Sequence, residues 1–372
     1  MGVGASMQPD LSKETAEARK TLKNMHRILI MGTENCGKMT LLKRYRQRYL
    51  KYNRLEIFAL KKVMARNIIQ GMAAVLRTMK QLNLVFEDDS QHSQMYPEEE
   101  ELPISPDFNL TVSEAANEVI RVSENDPGMI PFDKTTAKAL KKLWASPIFQ
   151  LALKEGERFG IFTTSLAHYM SKFGDINVGG EEIDDVHLLH VREPTKSPNG
   201  VTELNLRVGT RPFHITNLAG QRSQRRRWWE YFDDIHVTIF ISAINQYDQV
   251  LMEDETINRL KQSMSLYGRI VNSQFLRKTP MILLLNKCDS FEKKVKETSI
   301  KTAFPDYTGA DEFKESFMYI KDAFTRLYSP EFPKGEKKIY IHETRLLNTR
   351  STFEVIEKIN YVAIESKSRN LV

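Results

Sequence analysis

A glycine-rich segment with a single lysine has the residue types of a phosphate-binding loop. A short apolar run ends at Gly32, and Gly37 and Lys38 follow after four more residues. Glycines let backbone N–H groups turn inward around an anion, and lysine adds positive charge at the outer phosphates. The complete pattern has Ser or Thr directly after the lysine to hold Mg²⁺, but here Met39 follows and Thr40 comes one position late. The segment predicts phosphate binding with a fault at the metal position; taken alone, it also fits a strand followed by a glycine-rich turn.

Two later stretches follow predicted strands and carry side chains suited to a nucleotide. Gly220 can present a backbone N–H to a terminal phosphate, and Gln221 can orient an attacking water. The four residues Asn286–Asp289 come directly after an apolar run. An aspartate carboxylate there can accept two hydrogen bonds from a guanine edge, and the asparagine can meet the ring. In this order after a phosphate loop, the pattern predicts guanine recognition.

Alternating strands and helices are predicted to position these loops. The pattern favours an α/β fold with a mostly parallel sheet and helices on both faces. Strands are predicted over 201–208, 211–218, 236–244, 280–285 and 338–342, and helices over 225–233, 254–276, 311–328 and 351–366.

A helical block interrupts this alternation. Apolar residues recur at helical spacing from Arg54 to Leu82, and no strand is predicted between 54 and 180. The acidic run Glu98–Glu101 reads as a solvated loop. Further helices are predicted over 111–123, 134–145, 147–155 and 163–172. We expect an N-terminal helix with a lipidation signal over 1–25, an α/β domain formed by 26–53 and 187–372, and an inserted helical domain over 54–186.

The composition limits the classes of protein that fit. Of 372 residues, 41% are apolar and 27% charged, and the net charge is +6. This excess fits an acidic membrane surface or partner but does not by itself indicate nucleic acid. The two cysteines, Cys36 and Cys288, fall in the candidate nucleotide loops, which argues for a reducing compartment. No apolar run approaches the roughly 18–20 residues that span a bilayer, and the polar start predicts no secretory signal.

The first six residues, Met1–Ser6, fit the N-myristoylation pattern, with Gly2 as the acceptor. The alternative is a chance Met-Gly start. One acyl chain binds membranes only marginally, so basic residues or a partner protein would have to add affinity.

Three segments, together with the helix around Lys142–Trp144, resemble heterotrimeric G-protein alpha subunits, most of all the twelve/thirteen class. The segments are Gln221–Arg225, Tyr247–Asp254 and Leu284–Asp289. The resemblance covers nearly the whole chain. It implies a Ras-like P-loop GTPase domain, with a mostly parallel six-stranded sheet, and an inserted all-helical domain closing over GTP or GDP with Mg²⁺.

The resemblance also implies partners and a location. They are a beta–gamma dimer, a G-protein-coupled receptor, a downstream effector such as a Rho exchange factor, and a membrane surface reached through a lipid anchor. The location is the cytoplasmic face of the plasma membrane, or the cytoplasm.

The resemblance assigns catalytic roles to Gln221 and to Arg192, an arginine acting on the transition-state phosphate, and places Thr195 at Mg²⁺. A rival register puts His190 in the arginine's position; Arg192 is preferred because it and Thr195 then both fit the family spacing. The expected nucleotide contacts are Gly32, Glu34, Asn35, Cys36, Gly37, Lys38, Met39, Thr40, Leu189, Arg192, Thr195, Gly220, Asn286, Lys287, Asp289 and Arg345.

Several positions depart from the family pattern. Met39 replaces the Ser that binds Mg²⁺, and Asn217 replaces an aspartate that steadies the ion through water. A thioether is a poor ligand for a hard cation. Glu34 replaces a glycine near the terminal phosphate, and Arg345 replaces an alanine of the late guanine loop. We therefore expect weakened Mg²⁺ binding and slow GTP hydrolysis.

Two other functions compete with a signalling GTPase. The first is a non-catalytic interaction module on the same fold, which binds a receptor or beta–gamma without switching. The second takes the arginines and tryptophans of Arg222–Trp229 as a nucleic-acid patch. We expect no nucleic-acid partner, because the family uses these residues as a helix for protein partners.

Overall fold

The structure is a computed structural model, which describes most of the chain in eight ranges. The described residues are 24–86, 110–125, 128–158, 164–177, 183–193, 200–251, 254–329 and 337–369. Gly2, Thr195, the acidic run Glu98–Glu101 and nearly all of the expected N-terminal helix lie outside these ranges.

A six-stranded sheet forms the centre of the α/β part, in the order β2-β3-β1-β4-β5-β6. The β2–β3 pair is antiparallel, and the other neighbours are parallel, which confirms the expected mostly parallel sheet. The strands are β1 (His26–Gly32), β2 (Val201–Val208), β3 (Arg211–Leu218), β4 (Val237–Ala243), β5 (Met281–Asn286) and β6 (Ile339–Glu343).

Helices cover both faces of this sheet, because its central strands are apolar on both sides. In β5, Leu283 and Leu285 enter one core cluster, whereas Ile282 and Leu284 enter the other. Such alternation follows from the two-residue period of a strand. The covering helices are α1 (Lys38–Tyr49), α9 (Arg259–Val271), α10 (Cys288–Lys294), α11 (Phe313–Thr325) and α12 (Thr349–Arg369).

A separate hydrophobic core joins the helices between residues 54 and 180. Every regular element described between residues 54 and 180 is a helix, and together these helices build one core cluster around Ile68, Met72 and Phe149. Capping boxes at Asn53 and Thr111 start two of them. The helices are α2 (Arg54–Gln81), α3 (Val112–Glu124), α4 (Lys134–Ala145), α5 (Pro147–Arg158), α6 (Thr164–Ser171) and α7 (Phe173–Ile176), with α8 (Asp185–His190) after them.

The structure differs from the sequence prediction at several boundaries. The helix predicted from residue 254 begins at Arg259, because the Asn258 side chain accepts hydrogen bonds from the N–H groups of Leu260 and Lys261 and caps it there. The helix predicted over 225–233 is a 3-10 helix, Arg225–Tyr231. The short helices α8 and α10 were not predicted. None of the described helices is long and apolar enough to cross a membrane.

Candidate functional site

Two glycines shape the loop between β1 and α1. Gly32 has φ +147°, and a Cβ there would lie 2.3 Å from the carbonyl oxygen of Ile241. Gly37 has φ +111°, and its Cβ would lie 2.3 Å from Nδ2 of Asn286. An L side chain at either position would combine backbone strain with a clash. The loop therefore depends on both glycines.

The Lys38 ammonium group lies buried beneath this loop. It donates hydrogen bonds to the carbonyl oxygens of Gly32 at 3.0 Å and Thr33 at 2.5 Å. A Cβ on Gly220 would lie 2.6 Å from Lys38 Nζ, so the loop after β3 adjoins the same ammonium. Among the described residues no side chain caps the start of α1, which leaves its first N–H groups available for an anion. Lys38 and these N–H groups therefore lie together at the carboxyl ends of β1 and β3.

Asn286, the last residue of β5, ties two loops together. Its Nδ2 donates to the carbonyl oxygen of Cys36 at 2.8 Å. Its Oδ1 accepts from the Thr344 hydroxyl and from the Leu346 N–H, both at 3.3 Å. Asn286 thus holds the phosphate loop against the loop after β6.

The residues after Asn286 turn sharply into α10. Lys287 has φ +63°, and Asp289 lies in the first turn of the helix. Desolvation by burial lowers the pKa of Lys287 to about 8. The charged form of Lys287, two residues before Asp289, is thus poorly hydrated.

Arg192 reaches the phosphate loop from the segment after α8. Its Nη2 donates to Asn35 Oδ1 at 2.8 Å. Its backbone is fixed by Asn67, whose Oδ1 accepts from the Arg192 N–H at 2.6 Å and whose Nδ2 donates to the Arg192 carbonyl at 3.1 Å. Between the two alternatives of the sequence, Arg192 contacts the loop that carries Lys38.

His190 belongs to a histidine cluster and also lines the cavity beside the phosphate loop. Its ring stacks on His168 with centroids 3.8 Å apart, and His168 hydrogen-bonds to His187 at 2.9 Å. Burial lowers the pKa of His190 to about 3, and the other two histidines act in the same direction. His190 is therefore neutral near pH 7.

A cavity of about 330 Å³ lies between these loops and the ends of α6 and α8. Leu346 and Leu347, from the loop after β6, and Ser165 of α6 also line it. The predicted nucleotide contacts that line it are Asn35, Gly37, Lys38, Met39, Thr40, Leu189, Arg192, Asn286, Lys287 and Asp289.

Other predicted contacts lie outside this lining. Gly32, Cys36 and Gly220 support the loop from behind, as the contacts above show. Glu34 and Gln221 line a second cavity of about 1120 Å³, whose lining also includes Thr33. The Arg345 guanidinium forms ion pairs with Glu343 at 3.1 Å and Glu292 at 3.3 Å. The nucleotide role of each remains a prediction.

The two side chains predicted at the metal position contact each other. Nδ2 of Asn217 donates to Sδ of Met39 at 3.3 Å. The Oδ1 atom of Asn217 is buried and has no hydrogen-bond partner within the part of the chain that the structure describes. Met39 keeps 37% of its surface exposed.

Comparisons with known proteins decide the family. A sequence profile described as G-protein alpha subunit matches residues 5–363. The chain is 31% identical to the guanine nucleotide-binding protein alpha-3 subunit of Caenorhabditis elegans, covering 96% of this chain and 93% of that protein. It is 33% identical to the alpha-15 subunit of Caenorhabditis briggsae, covering 90% of this chain and 86% of that protein. The chain belongs to the G-protein alpha subunit family.

Alpha subunits are GTPases that bind GTP, GDP and Mg²⁺, and they act with beta–gamma dimers, receptors and effectors at membranes or in the cytoplasm. The six-stranded sheet agrees with the Ras-like part of the family fold, and helices α2–α7 agree with its helical part.

In this alpha subunit the residues at the metal position do not fit Mg²⁺. The ion prefers hard oxygen ligands in octahedral geometry. Met39 offers a thioether that already accepts a hydrogen bond. The group of Asn217 that contacts this sulfur is its amide nitrogen, not its oxygen. The Oδ1 atom of Asn217, which has no partner among the described residues, is an uncharged amide oxygen. Guanine nucleotide, by contrast, fits the glycines, Lys38 and Asn286 described above.

Two residues that support the alpha-subunit site carry no recognisable sequence motif. Asn67 fixes the Arg192 backbone from 125 residues away. Lys43 donates to the carbonyl oxygens of Leu188 and Val191 and so holds α8 against α1. No short motif marks either residue, because each contact forms only when distant elements pack.

Proposed function

We propose that this alpha subunit is a GDP/GTP switch that transduces signals from G-protein-coupled receptors at the membrane, with slow GTP hydrolysis caused by a weakened Mg²⁺ site. The observation that carries the hydrolysis part is the hydrogen bond between Asn217 and Met39. The nucleotide part rests on the cavity and on the family.

Each nucleotide contact has a physical reason. Lys38 and the N–H groups at the start of α1 suit the phosphates, since both present positive charge. The Asp289 carboxylate suits the guanine edge, while Asn286 keeps the surrounding loops in register. These residues bind and orient the nucleotide.

Hydrolysis requires a positioned water and stabilisation of the charge that develops on the terminal phosphate. Gln221 is exposed on the second cavity, where it can orient water, and Arg192 is held beside the phosphate loop by Asn35. Both groups are present, so we expect the reaction to be slowed rather than abolished.

Further assignments belong to the same proposal. We propose that residues 54–186 form an inserted domain, and that the class is twelve/thirteen-like with a Rho exchange factor as effector. Gly2 acylation would place the protein at the cytoplasmic face of the plasma membrane. The motif matches of the sequence support these assignments.

The test measures GDP affinity and single-turnover GTP hydrolysis with Mg²⁺ and with EDTA. The proteins are the wild type, Met39→Ser, Asn217→Asp and the double variant. We expect slow wild-type turnover with little response to Mg²⁺, and a faster, Mg²⁺-dependent rate in the double variant. Met318→Ser is the matched control, since this methionine is similarly exposed, at 44%, on α11. Wild-type turnover equal to that of an ordinary alpha subunit, and lost in EDTA, would refute the proposal.

The same hydrogen bond favours a second candidate, the non-catalytic interaction module. A site that cannot hold the metal can lose switching while the fold and its protein surfaces persist. If neither GDP nor GTP binds the wild type with or without Mg²⁺, this second function replaces the first.

A further inference from the structure

Glu34 lies at the end of the phosphate loop where a terminal phosphate would be bound. Its neighbour Thr33 accepts a hydrogen bond from Lys38, and the backbone of Gly220 approaches Thr33 closely: a Cβ there would lie 2.6 Å from the Thr33 carbonyl oxygen. The Glu34 side chain is exposed on the second cavity, whose lining also includes Gln221. A carboxylate thus stands next to the groups suited to the third phosphate.

Two arginines from different segments lie close enough to this carboxylate to interact with its charge. Arg225 shares the cavity with Glu34, and its Nε donates to the Gly220 carbonyl at 2.9 Å. Arg192 is hydrogen-bonded to Asn35, the residue directly after Glu34. Desolvation lowers the pKa of both arginines, and the negative charge of Glu34 opposes that shift in each. The carboxylate therefore acts electrostatically on both guanidinium groups.

We propose that Glu34 is a specificity-determining residue, whose carboxylate takes the place of a third phosphate beside Arg192 and Arg225 and so makes the site select guanosine diphosphate over guanosine triphosphate. This inference rests on the proposed function, because it requires that guanine nucleotide binds the cavity.

The physical argument concerns one difference between the two nucleotides. A diphosphate ends near Lys38 and leaves Glu34 with its arginines. A triphosphate brings further negative charge toward the carboxylate and must compete with it for the same two cations. Like charges a few ångströms apart near a protein surface repel strongly enough to change affinity by about tenfold or more.

The experiment compares the affinity of GDP with that of GTPγS, an analogue that is hydrolysed very slowly, so that turnover does not distort binding. The proteins are the full-length wild type, Glu34→Gln, which keeps the size and removes the charge, and Glu34→Gly, which removes both. Glu354→Gln is the control, because this glutamate is exposed on α12, 64% at its side chain, and forms a surface ion pair with Arg350. Each is measured in EDTA and in Mg²⁺, at low and high salt.

We expect the wild type to bind GDP at least tenfold more tightly than GTPγS. Glu34→Gln should raise GTPγS affinity by about tenfold while changing GDP affinity by less than about threefold. High salt should reduce the wild-type preference, since screening weakens exposed charges. The control should keep the wild-type ratio.

Three outcomes would overturn the inference, and a fourth would overturn the proposed function. An unchanged GDP-to-GTPγS ratio in Glu34→Gln would remove the role of the charge. A change in Glu34→Gly alone would assign the effect to bulk. Failure of the wild type to bind either nucleotide would overturn the proposed function itself, and is distinct from equal binding of both, which would overturn only the role of Glu34.

Discussion

Arg44 joins α1 to the loop after β6 and is 1% exposed. Its Nε donates to the carbonyl oxygen of Leu346 at 3.0 Å, and its Nη2 donates to that of Leu347. Its Nη1 donates to the Thr349 hydroxyl at 2.9 Å. Leu346 also donates its N–H to Asn286, so the guanidinium supports the loop that borders the candidate guanine pocket. Arg44→Met would keep an apolar stem of similar length and remove these bonds.

The expected loss of stability in Arg44→Met follows from the carbonyl oxygens of Leu346 and Leu347. Each loses a bond to a charged donor that contributes about 1.5–3 kcal/mol. Part of this loss is offset, because methionine does not bury a charge as Arg44 does. We expect the free energy of unfolding to fall by about 2–3 kcal/mol, a large share of the roughly 5–15 kcal/mol that holds a typical domain. GDP affinity should fall with it.

Urea unfolding at a fixed GDP concentration measures this change through the midpoint at constant slope. Arg48→Met is the matched control on the same helix: this arginine is 43% exposed and pairs with Glu357 at 3.0 Å. A surface pair of this kind contributes less than about 1 kcal/mol. If Arg44→Met and Arg48→Met lowered stability equally, the inference that Arg44 anchors the loop would be wrong.

Two further predictions follow from the site and its surroundings. Gly37→Ala should abolish measurable GDP binding, because it forces φ +111° on an L residue and places Cβ 2.3 Å from Asn286 Nδ2. Gly209→Ala is the control, since it also puts an L residue at positive φ, +60°, but its Cβ meets nothing within 4 Å; equal affinities of the two variants would contradict the prediction. The free energy of unfolding should fall as the pH is lowered. Above pH 6.5 His190 is neutral in both the folded and the unfolded protein. Between pH 6.5 and the folded-state pKa of about 3, only the unfolded chain binds the proton. This linkage costs about 1.4 kcal/mol per pH unit. His190→Phe, which keeps the stack on His168, should flatten the decline between pH 6 and 4, and an unchanged slope would refute it.

The sequence predicts the sheet well, because buried parallel strands such as β5 are continuous apolar runs with clear ends. It fails on α8 and α10, which have six and seven residues and are too short to show a helical period. The phosphate and guanine loops are predictable because their chemistry is local. Asn67 and Arg44 are not, since their contacts join residues 125 and 302 positions apart.

Met39 and Asn217 are expected to act as a coupled pair in stability. They lie 178 positions apart, yet the amide of one donates to the sulfur of the other. Serine at 39 alone would take the sulfur acceptor from the Asn217 amide and still provide no carboxylate. Aspartate at 217 alone would place a buried carboxylate beside the Met39 thioether. A buried charge without a partner is strongly destabilising. Single variants should therefore be poorer than the wild type in stability, whereas the double variant replaces one matched pair by another. Non-additive stabilities of the four proteins, with the double variant recovering what each single variant loses, would show that the pair acts as a unit; strictly additive losses would show two independent defects.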